Sequence, residues 1–176
     1  MIIVDIFSVP LSQMSFMPPI EKDTLSAYIA KNESISSLTW LILGGKDFMP
    51  YKPESAIDFI NVTSNGISKS AIINLASVLR IPMKNMAALL NLSYKTLGRK
   101  KKTDTLDSMT SSLSIEIANT VSKGLSVFED TDKFNRWLHK ENRALNGRVP
   151  FELMKTPTGL KLVNQILGRI EEGVYT

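Results

Sequence analysis

The segment from Leu106 to Phe128 constrains this chain more than any other. Leu106, Met109, Leu113, Ile117, Val121, Leu125 and Phe128 recur at three- and four-residue spacing with no proline between them, the periodicity of an apolar stripe on one long helix. The segments on either side read as further helices. Ser68 can cap a helix carrying Ala71, Ile72, Leu75, Ala76, Val78 and Leu79, and Pro82 fits the first turn of the next, roughly Met83 to Leu90. Ser93 can cap another. Downstream, Phe134, Trp137 and Leu138 share a short helix, and Asn146-Gly147 marks a tight turn before Pro150. The last helix has Thr156 as cap, Pro157 at its first position, Leu160, Val163, Leu167 and Ile170 as its stripe, and Gly173 as its stop. Strand signal is slight and repeats are absent, so the expected fold is nearly all-α. With 43% hydrophobic and 22% charged residues in 176, the chain can bury a core.

Residues 1 to about 45 are less readable. Pro10, Pro18 and Pro19 interrupt any long element, leaving two short helical candidates, Asp23 to Ala30 and Ser34 to Leu43. Met14, Phe16, Met17 and Trp40 are too apolar for a plain linker, so this segment is expected to pack on the rest as a local extension. The first seven residues are apolar but contain Asp5 and lack a basic flank, unlike a signal peptide. Leu38 to Leu43 is too short to span a bilayer, and the expected location is the cytoplasm.

The net charge of +4 is uneven. Lys95, Arg99, Lys100, Lys101 and Lys102 share one acid-free stretch, and without these five the chain has 16 basic residues against 17 acidic ones. The basic excess is therefore a single local patch. Zero cysteines exclude a disulfide framework, a thiolate metal site and a cysteine nucleophile. His139 is the only histidine, so no two-imidazole metal site can form, although carboxylates alone remain open as ligands. With no phosphate-binding glycine loop and no nucleophile elbow either, no catalytic residue, metal or cofactor is expected.

The patch falls inside a helix-turn-helix pattern. Two short helices crossing steeply need a small residue at their contact and a turn residue that tolerates positive φ. Ala87 meets the first need, and Asn91, the best substitute for glycine, meets the second. Met86, Leu90, Leu92 and Leu97 then point inward, and Tyr94, Lys95, Thr96, Arg99 and Lys102 point outward. Lysine and arginine there can neutralise phosphates, and Arg99 can reach the major-groove edge of a guanine. An ordinary helical hairpin with a solvated end is the competing reading. Gly98 inside the second helix costs about 1 kcal/mol relative to alanine; it either weakens that helix or allows close approach to the DNA backbone. The candidate DNA-binding residues are Ser93, Tyr94, Lys95, Thr96, Arg99, Lys100 and Lys102.

The stretch Trp137-Leu138, Asn142, Ala144-Leu145, Gly147, Pro150, Glu152-Leu153, Thr156, Gly159, Val163, Leu167 through Glu171 and Gly173-Val174 resembles the toxin-binding domain of the Xre/MbcA/ParS antitoxins. Leu43-Gly44-Gly45, Gly66-Ile67-Ser68 and Ser93 through Thr96-Leu97 with Arg99 resemble the helix-turn-helix half of the same family. The resemblance runs from about residue 43 to 176, and residues 1–42 match nothing in it. It implies an Xre-like helix-turn-helix domain at 43–105, followed by the long connecting helix and a compact helical toxin-binding domain at 106–176. It further implies a type II antitoxin that occludes a cognate RES-domain toxin acting on NAD or ADP-ribosylating a target, binds its own operator, and forms a homodimer and larger assemblies with the toxin. The end of the chain is then expected to approach the toxin's NAD pocket.

The candidate toxin-binding residues are Asn142, Arg143, Arg148, Arg169, Glu171, Glu172, Gly173, Val174 and Tyr175. Glu171 and Glu172 sit at the unfavourable end of the last helix dipole, which a partner's positive charge would relieve. Val174 and Tyr175 can enter a partner's cleft or dock on this chain's own core. Trp137 reads as core more readily than as contact, and Arg143 and Arg148 suit a partner or a solvated loop equally. The competing function is a repressor whose C-terminal helices only dimerise it.

Overall fold

The computed structural model describes residues 22–31 and 33–174. The apolar positions before Glu21 and the terminal Tyr175 lie outside the described residues. Among those described there are ten α-helices and no strand. They are α1 (Lys22–Ala30), α2 (Ile35–Leu43), α3 (Phe59–Asn65), α4 (Lys69–Val78), α5 (Met83–Leu89), α6 (Tyr94–Arg99), α7 (Ser108–Phe128), α8 (Thr131–Leu138), α9 (Pro150–Leu153) and α10 (Pro157–Glu171). None is long and apolar enough to cross a membrane.

The caps were visible in the sequence because each is a local hydrogen bond. Ser68 accepts from the Ala71 N–H at 3.4 Å, Ser93 from Thr96 at 2.9 Å and Thr156 from Gly159 at 3.1 Å, each replacing a partner that the first helical turn lacks. Pro82 stands one position earlier than expected, as the N-cap of α5. The long helix starts two residues late, because Asp107 caps it and Leu106 remains outside.

Helix α7 is the spine, with α2, α3, α8 and α10 all packed on it. The expected stripe is only partly its buried face. Ile117, Val121 and Leu125 are fully buried, but Met109 is 81% exposed and Leu113 and Phe128 are only half-buried. Because helices surround α7 on several sides, Ser111, Ser114, Ala118, Ser122 and Gly124 are buried as well. Small side chains let neighbouring helix axes approach. The serine hydroxyls remain satisfied by donating to carbonyls one turn back, Ser114 to Thr110 at 2.7 Å and Ser122 to Ala118 at 2.8 Å.

The clearest close approach is at Gly124. A Cβ there would lie 2.1 Å from the ring of Phe134 on α8. On another side, buried Thr39 of α2 donates to Asn119 Oδ1 at 2.8 Å and lies 2.9 Å from Ser122 Oγ. Leu38, Ile42 and Leu43 of α2 join the same apolar cluster as Ile72, Leu75, Ile117 and Leu167. The α2 segment is thus part of the core. On α10, Ile166 takes a buried position and Ile170 is only half-buried.

Two stability measurements check this packing. We expect Gly124→Ala to cost about 2 kcal/mol or more in urea unfolding, through overpacking against Phe134. Gly168→Ala, where an added Cβ meets only the flexible end of Lys123 at 3.4 Å, should gain up to about 1 kcal/mol. The second concerns Asp107, whose carboxyl is held below its ordinary 3.8 chiefly by the Thr110 N–H and then by the Thr110 hydroxyl. Since the folded pKa is the lower one, the stabilisation is complete above the ordinary value and lost as pH falls through the depressed one. Asp107→Ala should therefore cost about 1 kcal/mol at neutral pH, with the gap to wild type closing below about pH 4.

Candidate functional site

The residues that could meet a partner lie at opposite ends of α7. At 1.5 Å per residue, its 21 residues separate those ends by about 30 Å.

At the N-terminal end, α5 and α6 form the expected helix-turn-helix. Asn91 adopts φ 57°, Leu92 N–H donates to the Ala87 carbonyl at 2.9 Å, and Ala87, Met86, Leu90 and Leu97 are buried. Leu92 is half-buried. On α6, Tyr94, Lys95, Thr96 and Arg99 are exposed, as is Ser93 before it. Thr96 also has its hydroxyl 2.7 Å from Ser93 Oγ.

The lysine run beyond α6 is held by backbone pairing. Residues 102–106 lie beside residues 67–70, where the Lys69 N–H donates to Asp104 O, Ser70 to Lys102 O, and Leu106 to Ile67 O, each at 2.9 Å. Two of these bonds satisfy amides in the first turn of α4, so the basic segment serves as part of that helix's cap. Lys102 is exposed. Lys100 is half-buried, and its ammonium donates to the Thr105 carbonyl at 2.6 Å.

Sequence reasoning missed Lys69, whose ammonium donates to Lys100 O at 2.6 Å and to Gly98 O at 3.3 Å. A cation there offsets the negative end of α6. The separation of 31 positions from Lys69 to Lys100 leaves no local signal for the contact.

At the other end of α7, the turn between α8 and α9 approaches the end of α10. Asn142 Oδ1 accepts from the Ala144 N–H at 2.9 Å, and Asn142 N–H donates to Arg148 O at 3.1 Å. Asn146 and Gly147 both have positive φ, which closes the turn. Arg143, Arg148 and Arg169 are exposed. Gly173 (φ 72°) donates to Ile170 O at 3.0 Å and Val174 to Arg169 O at 2.8 Å. This pair of bonds is a Schellman motif that satisfies the last carbonyls of α10 and directs the chain back. Glu171 and Glu172 are exposed beside it, and Val174 is 49% exposed. Asn142, Arg169 and Val174 meet around a cleft also lined by Phe128, Trp137 and Ile170.

Two family models match the chain. The antitoxin Xre-like helix-turn-helix domain covers residues 58–119, and the antitoxin Xre/MbcA/ParS C-terminal toxin-binding domain covers residues 123–173. The chain belongs to the Xre-type antitoxin family. No curated protein matches it.

In this antitoxin the two family units meet within α7, the first match ending and the second beginning along that helix. Among the described residues, no group of three or more histidine and carboxylate side chains is arranged to hold a metal. The lone histidine has a packing role, with His139 Nε2 3.3 Å from the Leu79 carbonyl and its ring against Phe151.

Gly98 is exposed, and a Cβ there would meet nothing within 4 Å. The folded antitoxin therefore does not itself require the glycine. We expect Gly98→Ala to raise stability by about 0.5–1 kcal/mol in urea unfolding. A simultaneous fall in operator affinity would identify Gly98 as a point of close contact with the DNA backbone, whereas a loss of stability would contradict the open surroundings.

Proposed function

We propose that this chain is the antitoxin of a type II toxin–antitoxin pair that occludes the active site of a cognate RES-domain, NAD-degrading or ADP-ribosylating toxin and represses its own operon by binding operator DNA. It acts by binding rather than by catalysis, in the cytoplasm, as a homodimer that forms larger assemblies with the toxin. The domain division that goes with this reading is an extension at 1–42, a DNA-binding domain at 43–105, and the long helix with the toxin-binding domain at 106–176. The observation that carries the proposal is the joining, through one helix, of an exposed cationic recognition helix to a domain matching the family's toxin-binding unit.

The basic patch supports the DNA half. Lys95 and Arg99 stand on the exposed face of α6 and Lys102 just beyond it, where cations displace counterions from phosphates. The arginines near α10 and the α8–α9 turn support the protein half, because guanidinium groups favour carboxylates on a partner.

Two experiments test the two halves separately. Co-expression with the product of the adjacent gene should relieve that product's toxicity; a harmless neighbour, or one still toxic beside this chain, rejects the antitoxin reading and leaves a repressor that only dimerises. For the DNA half, Arg99→Ala with Lys102→Ala should lower the slope of log affinity against log salt by up to about 2, given about 0.9 per phosphate contact. An unchanged slope would remove both residues from the DNA interface.

A further inference from the structure

The cleft at the C-terminal end of α7 has a volume of about 180 Å³. An apolar cavity of about 150 Å³ is enough to hold a benzene ring, so this one has room for a single leucine or phenylalanine side chain. Its walls come from four places in the sequence: Phe128 ends α7, Trp137 belongs to α8, Ala144 to the turn, and Ile166, Ile170 and Val174 to α10 and the residues beyond it. Trp137 is half-buried and packs 5.4 Å from Phe128 and 6.2 Å from Phe134, between ring centroids. Its indole N–H is buried and makes no hydrogen bond among the described residues.

The rim is polar and its nearby cations are unpaired. Arg169 and Asn142 border the cleft, and Arg143 flanks Asn142 in the turn; neither arginine forms an ion pair among the described residues. An apolar pocket with a half-buried tryptophan at its base and arginine at its edge has the composition of an interface hot spot. Every wall residue except Val174 falls within the toxin-binding match.

We propose that this cleft is the anchor site for the toxin, receiving one large apolar side chain from a toxin segment whose flanking carboxylate pairs with Arg169. The inference rests on the antitoxin reading and specifies where and by what chemistry the partner is held. In it, Val174 is a wall of this chain's own pocket, and the end of the chain shapes the receptor for the toxin's side chain.

The test uses the full chain, labelled with 5-fluorotryptophan, and the toxin encoded by the adjacent gene. Fluorine NMR reports two tryptophans: Trp40, buried with its indole N–H donating to Met49 O at 2.8 Å, and Trp137. Adding unlabelled toxin should shift the Trp137 resonance and leave that of Trp40 in place. Ala144→Trp, which fills the cleft, and Arg169→Glu, an exposed charge reversal, should each weaken toxin binding at least tenfold while operator binding stays within twofold. Should Ala144→Trp also lose operator binding through misfolding, Arg169→Glu and the fluorine spectrum decide. A toxin that binds without moving the Trp137 resonance, or binds Arg169→Glu as tightly as wild type, overturns the anchor site and leaves the antitoxin reading intact. A wild-type chain that binds no toxin overturns both.

Discussion

The burial of α7 on several sides is the constraint on which the other elements depend. An amphipathic surface helix hides one stripe, but α7 has to satisfy α2, α3, α8 and α10 together. Large apolar residues on every face would hold those helices apart. The sequence instead places serine, alanine and glycine at Ser111, Ser114, Ala118, Ser122 and Gly124; Ser114 and Ser122 satisfy their hydroxyls within the helix, Ser122 also meets Thr39 of α2, and Ser111 donates to Leu106 O just before the helix and accepts from the Ile67 N–H. Phe134 fills the space that Gly124 leaves open. The orientation of α8 follows from that contact, and with it the position of Trp137 three residues on.

This arrangement keeps the two proposed surfaces apart. The recognition helix and its lysines sit near the start of α7, because residues 102–106 are paired with the start of α4 immediately before α7 begins. The cleft sits at the far end, where Phe128, Trp137 and α10 converge. The basic excess is confined to the first end. Around the second, Arg143, Arg148 and Arg169 are interspersed with Glu141, Glu171 and Glu172, a mixed surface suited to a protein partner.

Much of this was legible in the sequence, for physical reasons that also explain what was not. Ser68, Ser93, Thr156 and Asn91 act on residues within a few positions of themselves, so the ends of α4, α6 and α10 and the helix-turn-helix could be read directly. Helix α3 is seven residues long with only Phe59 buried, so it has no apolar stripe to read. The true face of α7 was hidden because a search for apolar residues passes over buried serines and counts Met109, which is exposed. Lys69 and the cleft were out of reach for another reason: their partners lie 31 residues apart in one case and between positions 128 and 174 in the other. The residues of the toxin-binding motif were recognisable in the sequence, but the pocket they enclose was not.

The central claim is that one antitoxin presents two separate surfaces at the ends of α7. Hydrogen exchange read by mass spectrometry, on the full chain with operator and toxin added singly and then together, tests it most directly. The expected result is protection of residues 93–102 by operator, protection of residues 137–144 and 166–174 by toxin, and the sum of both footprints in the ternary mixture. A toxin footprint that falls on α5 and α6, or that displaces the operator's, would contradict it.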